Sequence, residues 1–151
     1  MSNLSAFLQM IATSEGTANL GDRGYNVLVG STPSHPVLFN SYADHPRIHV
    51  KLNATLYSTA AGRYQILERI YDAYKKRLKL EDFSSDSQDA IALEMLRECG
   101  ARPYIQSGHF DEAVSRCSHL WASLPGAAYG QHTNLLADLR KTFTTAGGIL
   151  A

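Results

Sequence analysis

An α+β fold, a mostly helical body with a small antiparallel sheet inserted after the first helix, is predicted by three observations. Leu4, Phe7, Leu8, Ile11 and Ala12 recur at the spacing of a helix with one buried face. Between Tyr25 and Val50 that period gives way to short apolar runs broken by glycine and proline. From Gly62 the helical period returns and dominates the rest of the chain.

Each element follows from local chemistry. Ser2 or Asn3 can cap the first helix. It runs out at Ser14-Glu15-Gly16-Thr17, where the glycine suits a helix end. Tyr25-Asn26-Val27-Leu28-Val29, stopped by Gly30, reads as a short strand. A turn-rich stretch from Ser31 to Pro36 leads to Val37-Leu38-Phe39, Tyr42-Ala43-Asp44-His45-Pro46 and the extended Ile48-His49-Val50, which makes a sheet of two or three strands. Ile66, Leu67, Ile70, Tyr71, Tyr74 and Leu78 mark a long helix beginning near Gly62. The next starts near Ser84 or Ser85, with Ser85 and Gln88 suited to a capping box, and reaches Cys99-Gly100. Shorter helices fit Pro103 to Gln106 and Asp111 to Trp121, and Pro125-Gly126 makes a break. A last helix fits Asn134 to Thr145, closed by Gly147-Gly148. At 151 residues and 44% hydrophobic, the chain suits one domain over 1–151 with a real core.

Charge and reactive residues narrow the function. Fourteen basic and fourteen acidic residues cancel, so no polyanion-binding surface is advertised and nucleic acid is not expected as a partner. Lys75-Lys76-Arg77 and Lys79 fall late in a helical pattern, where cations form a solvated face. Cys99 and Cys117 are too far apart for a metal knuckle or redox pair, and Cys99 continues the Ala92, Leu93, Met95, Leu96 stripe as a small core residue. His45 and His49 have helical spacing but are separated by Pro46, so neither metal nor cofactor is expected. The opening residues lack a basic leader and carry helical rather than signal-peptide periodicity. No run approaches the ~20 apolar residues that span a bilayer, and accumulation in the cytosol is expected.

Glu15 carries the chemistry. It lies four residues after Ile11 and three after Ala12, which places its carboxyl along the apolar face. Burial and the partial negative charge of a helix C-terminus both disfavour the carboxylate, giving the raised pKa that a general acid needs near neutrality. The same spacing also suits a solvated acid one step before a glycine C-cap. With the sheet inserted just after this helix, Glu15 is expected where helical body and sheet meet.

A set of ordered stretches then points to a family. These are Ser14-Glu15-Gly16-Thr17, Gly24 to Gly30, Asp44-His45-Pro46-Arg47, Ser58 to Gln65, Ser87-Gln88-Asp89-Ala90, Arg116-Cys117-Ser118, and Trp121 to Gly126 followed by Tyr129-Gly130-Gln131. Over about Ala6 to Gly148 the chain resembles the endolysins of the bacteriophage lambda type, lytic transglycosylases of the lysozyme-like superfamily. The resemblance implies a lysozyme-like fold with a cleft between body and sheet. It implies cleavage of the β-1,4 bond between N-acetylmuramic acid and N-acetylglucosamine in peptidoglycan, with Glu15 matching the single catalytic glutamate. Glu15 would protonate the glycosidic oxygen and then, as carboxylate, help the muramyl 6-hydroxyl attack its own anomeric carbon. The product is a 1,6-anhydro end.

Ordinary glycoside hydrolysis needs two carboxylates, and the candidates for the second, Asp22 and Asp44, both sit in turns where aspartate serves the backbone. At Asn26 the family carries an acid. The segment between Thr17 and Gly24 is shorter here and the Ser31 to Phe39 region longer. For the glycan, the matches nominate Tyr64, Gln65 and Tyr129, because tyrosine offers a stacking face and glutamine both donates and accepts. Ser58 and Thr59 are nominated through their hydroxyls, with helix capping as their other reading. Trp121, on a stripe with Leu120 and Leu124, reads as core. The alternatives are a hydrolytic muramidase using water held by Asp22 or hydroxyls, and a non-catalytic wall-glycan binder. Expected partners are peptidoglycan glycan strands and a membrane-pore protein, a holin, that lets a monomer leave the host cytoplasm for the periplasm and cell wall.

Overall fold

Of the two candidate caps Ser2 is the one used: its hydroxyl accepts from the Ser5 amide at 3.1 Å and opens α1 (Asn3–Ser14). The structure is a computed structural model that describes residues 2–126 and 134–151. Its further elements are the strands β1 (Val50–Lys51) and β2 (Tyr57–Ser58), and the helices α2 (Glu68–Leu78), α3 (Ser85–Glu98), α4 (Arg102–Gln106), α5 (Phe110–Cys117) and α6 (Leu136–Thr145). They form two compact units, one made of the residues up to Glu15 with Ala92–Ala151, the other of Gly16–Ile91.

In the first unit α1 buries Ala6, Phe7, Met10, Ile11 and Ala12 completely. Phe7 meets Phe110 at a ring-centroid distance of 5.8 Å and Phe143 at 6.4 Å, and those two meet each other at 5.1 Å. Burying one such side chain stabilises by about 1.5–3 kcal/mol, so this cluster anchors α1. Asn3, freed from capping, uses its amide otherwise: Nδ2 donates to the Ile105 and Ile149 carbonyls at 3.0 and 3.1 Å, and Oδ1 accepts from the Ile149 amide at 2.9 Å. Trp121 is buried, as its stripe predicts. Cys117 is buried, whereas Cys99, expected in the core, is half-exposed at the end of α3.

The second unit carries the sheet. β1 and β2 pair antiparallel, Val50 opposite Ser58 and Lys51 opposite Tyr57. The strand expected over 25–29 is reduced to single bridges, Val27 with Leu38 and Leu28 with Ala61. Tyr71, Phe83 and His45 form the core, with ring centroids 4.9–5.7 Å apart. The helix expected from Gly62 begins only at Glu68. Ala61 first bridges to Ile66, Gln65 takes φ +51°, and the Thr59 hydroxyl, nine residues upstream, accepts from the Glu68 amide at 3.0 Å. A distant cap sets this helix start.

The capping box expected of Ser85 and Gln88 is also replaced. Ser84 accepts from the Ser87 amide at 3.3 Å, while the Gln88 side chain is buried and spans two loops. Its Nε2 donates to the Tyr25 and Phe83 carbonyls at 3.0 and 2.9 Å, and its Oε1 accepts from the Arg63 amide at 3.0 Å. Gly62, at φ +81°, lies so close that a Cβ there would run into this amide. Among the described residues no helix is long and apolar enough to cross a membrane.

Candidate active site

The end of α1 holds Glu15 as a C-cap. Its backbone is still near helical, φ −75° and ψ −8°, and its amide donates to the Ile11 carbonyl at 2.8 Å. Gly16 follows at φ +80°, a left-handed exit that turns the chain away at no steric penalty. The glutamate is half-buried. Burial pushes its carboxyl up to about 7 from 4.5, against a hydrogen bond from the Ser123 side chain that pulls it down. The solvated reading of Glu15 therefore gives way to the desolvated one.

Three residues pack their polar atoms around this helix end. Ser14 Oγ lies 2.8 Å from Ser123 Oγ. Asn134 Nδ2 is 3.0 Å from both the Ser14 carbonyl and Ser14 Oγ, and the Asn134 amide donates to the Ser123 carbonyl at 2.9 Å. None of the three stands out by local pattern. Ser123 nonetheless falls inside the Trp121 to Gly126 stretch that carries the resemblance.

The nominated glycan-binding residues fare differently. Tyr64 is corrected: its ring is 1% exposed and offers no stacking face. Its hydroxyl instead donates to Asp89 Oδ1 at 2.6 Å, beside the Tyr25 hydroxyl at 2.9 Å, and the Arg63 guanidinium lies 5.2 Å from the Tyr25 ring. Asp89, in the Ser87 to Ala90 stretch, is thus a phenol-binding residue that the sequence pattern alone does not single out. Gln65 is half-buried and points its Nε2 at the Gly62 and Val27 carbonyls, 2.9 and 3.3 Å away, so its donor serves the loop. Thr59 caps α2, and Ser58 Oγ accepts from the Ala60 amide at 3.2 Å, the capping reading of these hydroxyls. Tyr129 lies outside the described residues. Thr17, two residues past Glu15, is buried and donates to the Arg63 carbonyl at 2.6 Å, tying the chain after the acid to the Arg63-Tyr64-Gln65 turn.

Both candidates for a second carboxylate are engaged elsewhere. Asp22 accepts from the Tyr42 hydroxyl at 2.8 Å, while its amide donates to Asn26 Oδ1 at 2.8 Å. Asp44 pairs with Arg47 at 2.8 Å, and that contact holds its carboxyl below the usual carboxylate range. His45 is buried between two backbone groups, Nε2 donating to the Ile66 carbonyl at 2.8 Å and Nδ1 accepting from the Arg47 amide at 3.0 Å. His49 lies 3.7 Å from Glu68.

A helical body with a small inserted sheet and one desolvated glutamate at the end of its first helix defines a lysozyme-like protein. The chain belongs to the endolysin family, whose model, described as Endolysin, matches residues 5–150. It is 51% identical to the endolysin of Escherichia phage lambda over 147 residues, covering 95% of this chain and 90% of that protein. It is 45% identical to the endolysin of Escherichia phage P2 over 157 residues, covering 99% and 95%. Among solved structures it superimposes on bacteriophage lambda lysozyme complexed with a chitohexasaccharide at a TM-score of 0.93, with 49% identity over 100% of this chain and 98% of that one. A second structure of the lambda lysozyme matches at a TM-score of 0.89 and 48% identity.

Proposed function

We propose that this chain is a peptidoglycan-cleaving endolysin acting as a lytic transglycosylase, with Glu15 as its single acid and base. The observation that carries the reading is the Glu15 carboxyl, half-buried and lifted to about 7, which leaves it substantially protonated near neutral pH yet able to ionise during a catalytic cycle. Protonation of the glycosidic oxygen breaks the bond to the leaving N-acetylglucosamine. The resulting carboxylate then accepts the proton of the muramyl 6-hydroxyl as that oxygen closes on the anomeric carbon. The glutamate returns to its protonated form and no water enters.

A hydrolase of this fold class would need a second carboxylate to hold water or to form a covalent intermediate. Asp22 and Asp44 are each committed, one to Tyr42 and one to Arg47, which favours the single-acid route. The glycan-bound lambda relative supports a sugar polymer as ligand, and the reading places peptidoglycan strands in that role. Reaching the wall from the host cytoplasm calls for a membrane-pore partner, and the chain is taken to act as a monomer built as one catalytic domain. Digestion of purified peptidoglycan in oxygen-18 water tests the reaction type. Unlabelled 1,6-anhydro-muramyl ends are expected; labelled reducing muramyl ends appearing at the rate of cleavage would make the enzyme a muramidase.

A further inference from the structure

The hydrogen bonds around Ser14, Ser123 and Asn134 run in one direction once Glu15 is ionised. The Ser14 carbonyl can only accept, and it lies 3.0 Å from one side-chain atom of Asn134, so that atom must be the amide nitrogen. The orientation of Asn134 follows, and the same nitrogen donates its second hydrogen to Ser14 Oγ, also at 3.0 Å. Ser14 Oγ keeps a second lone pair, so its 2.8 Å contact with Ser123 Oγ could run either way until Ser123 finds another acceptor. Among the described residues, the Glu15 carboxyl is the side-chain acceptor beside Ser123. Ser123 has a single hydrogen, and when Glu15 is ionised that hydrogen goes to the carboxylate, so Ser14 must then be the donor to Ser123.

We propose that Asn134, Ser14 and Ser123 are positioning residues that form a one-way hydrogen-bond relay, Asn134 to Ser14 to Ser123 to Glu15, holding the carboxyl of the acid in one orientation and ready to ionise. The relay rests on the reading of Glu15 as the general acid. Its chemistry fits that reaction: a single carboxyl must give a proton in the first step and hold a negative charge in the second, and burial alone would favour only the neutral form. A donor fixed from behind stabilises the carboxylate without supplying a countercharge that would keep it permanently ionised. Asn134 has a further duty that makes the relay stiff. By donating to the Ser14 carbonyl it satisfies one of the orphan acceptors at the end of α1, so loosening Asn134 frays the helix end that carries Glu15.

The test is a carbon-13 carboxyl titration of the full-length protein, run beside the pH profile of kcat/KM on peptidoglycan. Ser123→Ala should raise the Glu15 pKa by about one unit, the size expected for losing a hydrogen bond to a charged group. Ser14→Ala should raise it by less, because Ser123 keeps its hydrogen but loses the partner that aims it. Ser14→Ala in the Ser123→Ala background should add nothing, since its effect passes through Ser123. Ser123→Thr, which keeps the hydroxyl, should restore the wild-type value, and Ser14→Ala carries the reading alone if Ser123→Ala does not fold. The relay is overturned if the titration is unmoved in Ser123→Ala, or if the Ser14 effect is undiminished in the double variant. The alkaline limb of the activity profile should move with the titrated value. A limb that stays in place while the titration shifts overturns instead the acid assignment on which the relay's catalytic role rests.

Discussion

The end of α1 and the surroundings of Arg47 treat carboxyl groups in opposite ways. At Arg47 one guanidinium meets three acids, Asp44 at 2.8 Å, Glu68 at 3.0 Å and Asp72 at 2.6 Å, and Asp44 and Asp72 are both held below the usual carboxylate range by that contact. At Glu15 burial wins and the carboxyl rises to about 7. The contrast teaches where to look for proton chemistry. A dense knot of charge locks its members into one protonation state, whereas an acid whose described neighbours offer a hydroxyl and no cation keeps both states within reach.

The strongest test of that contrast is Glu15→Gln, which keeps shape and hydrogen bonding but has no proton to give. Lysis of permeabilised Gram-negative cells should fall by about 100-fold to 10,000-fold, the range typical of a lost general acid. Activity within tenfold of wild type, in a protein with an unchanged circular dichroism spectrum, would remove Glu15 from the mechanism.

Stability against pH gives the next effect. Because the Glu15 pKa is raised on folding, the native state binds more protons than the unfolded one between 4.5 and about 7. Its contribution is fully present below 4.5 and is lost as pH rises to about 7. Thermal melts of Glu15→Gln should lack this slope, so the variant should gain stability relative to wild type across that window. A parallel pair of curves would mean that the carboxyl is not desolvated. The other region predicts the reverse. Burial depresses the His45 pKa, and its Nδ1 must stay bare to accept from Arg47, so stability should fall as pH drops below 6.5. Imidazole proton shifts should show His45 neutral with hydrogen on Nε2; a freely titrating ring would contradict the two backbone contacts.

Smaller effects should come from the charged knot itself. Arg47→Met should cost about 1 kcal/mol at low salt and less at high salt, since its pairs are partly exposed, and should leave wall cleavage intact. Loss of activity on the scale of Glu15→Gln would bring this cluster into the mechanism. Asp22→Asn and Asp44→Asn should change stability by about 1 kcal/mol or less and leave the product ends the same as in the wild type. A switch to reducing ends, or complete loss of turnover in a cooperatively folding variant, would restore a two-carboxylate scheme.

The same two regions show what could be read from sequence. The helix carrying Glu15 was legible because its period, its serine cap and its glycine exit are all local. The start of α2 was not, because its cap comes from Thr59 across the intervening turn. Tyr64 looked like a sugar platform on residue type, but its exposure is decided by Asp89 twenty-five positions away, which draws the hydroxyl inward. The partners of Ser14 lie 109 and 120 residues downstream, beyond any periodic signal. Motif order located the neighbourhood of the acid; only packing could say which hydroxyl faces it.

The Phe7, Phe110 and Phe143 cluster, with Asn3 reaching Ile105 and Ile149, makes the acid-bearing helix a debtor in time. Ribosomes deliver α1 first and its partners more than a hundred residues later, so the emerging helix has neither its aromatic neighbours nor the Asn134 amide to fasten its end. On a partly synthesised chain, where those partners are missing, the glutamate is expected to be solvated and acidic in the ordinary way. If Glu15 is the acid, as proposed, its carboxyl is armed only once the chain has passed Phe143, and the unfinished chain is expected to be inert.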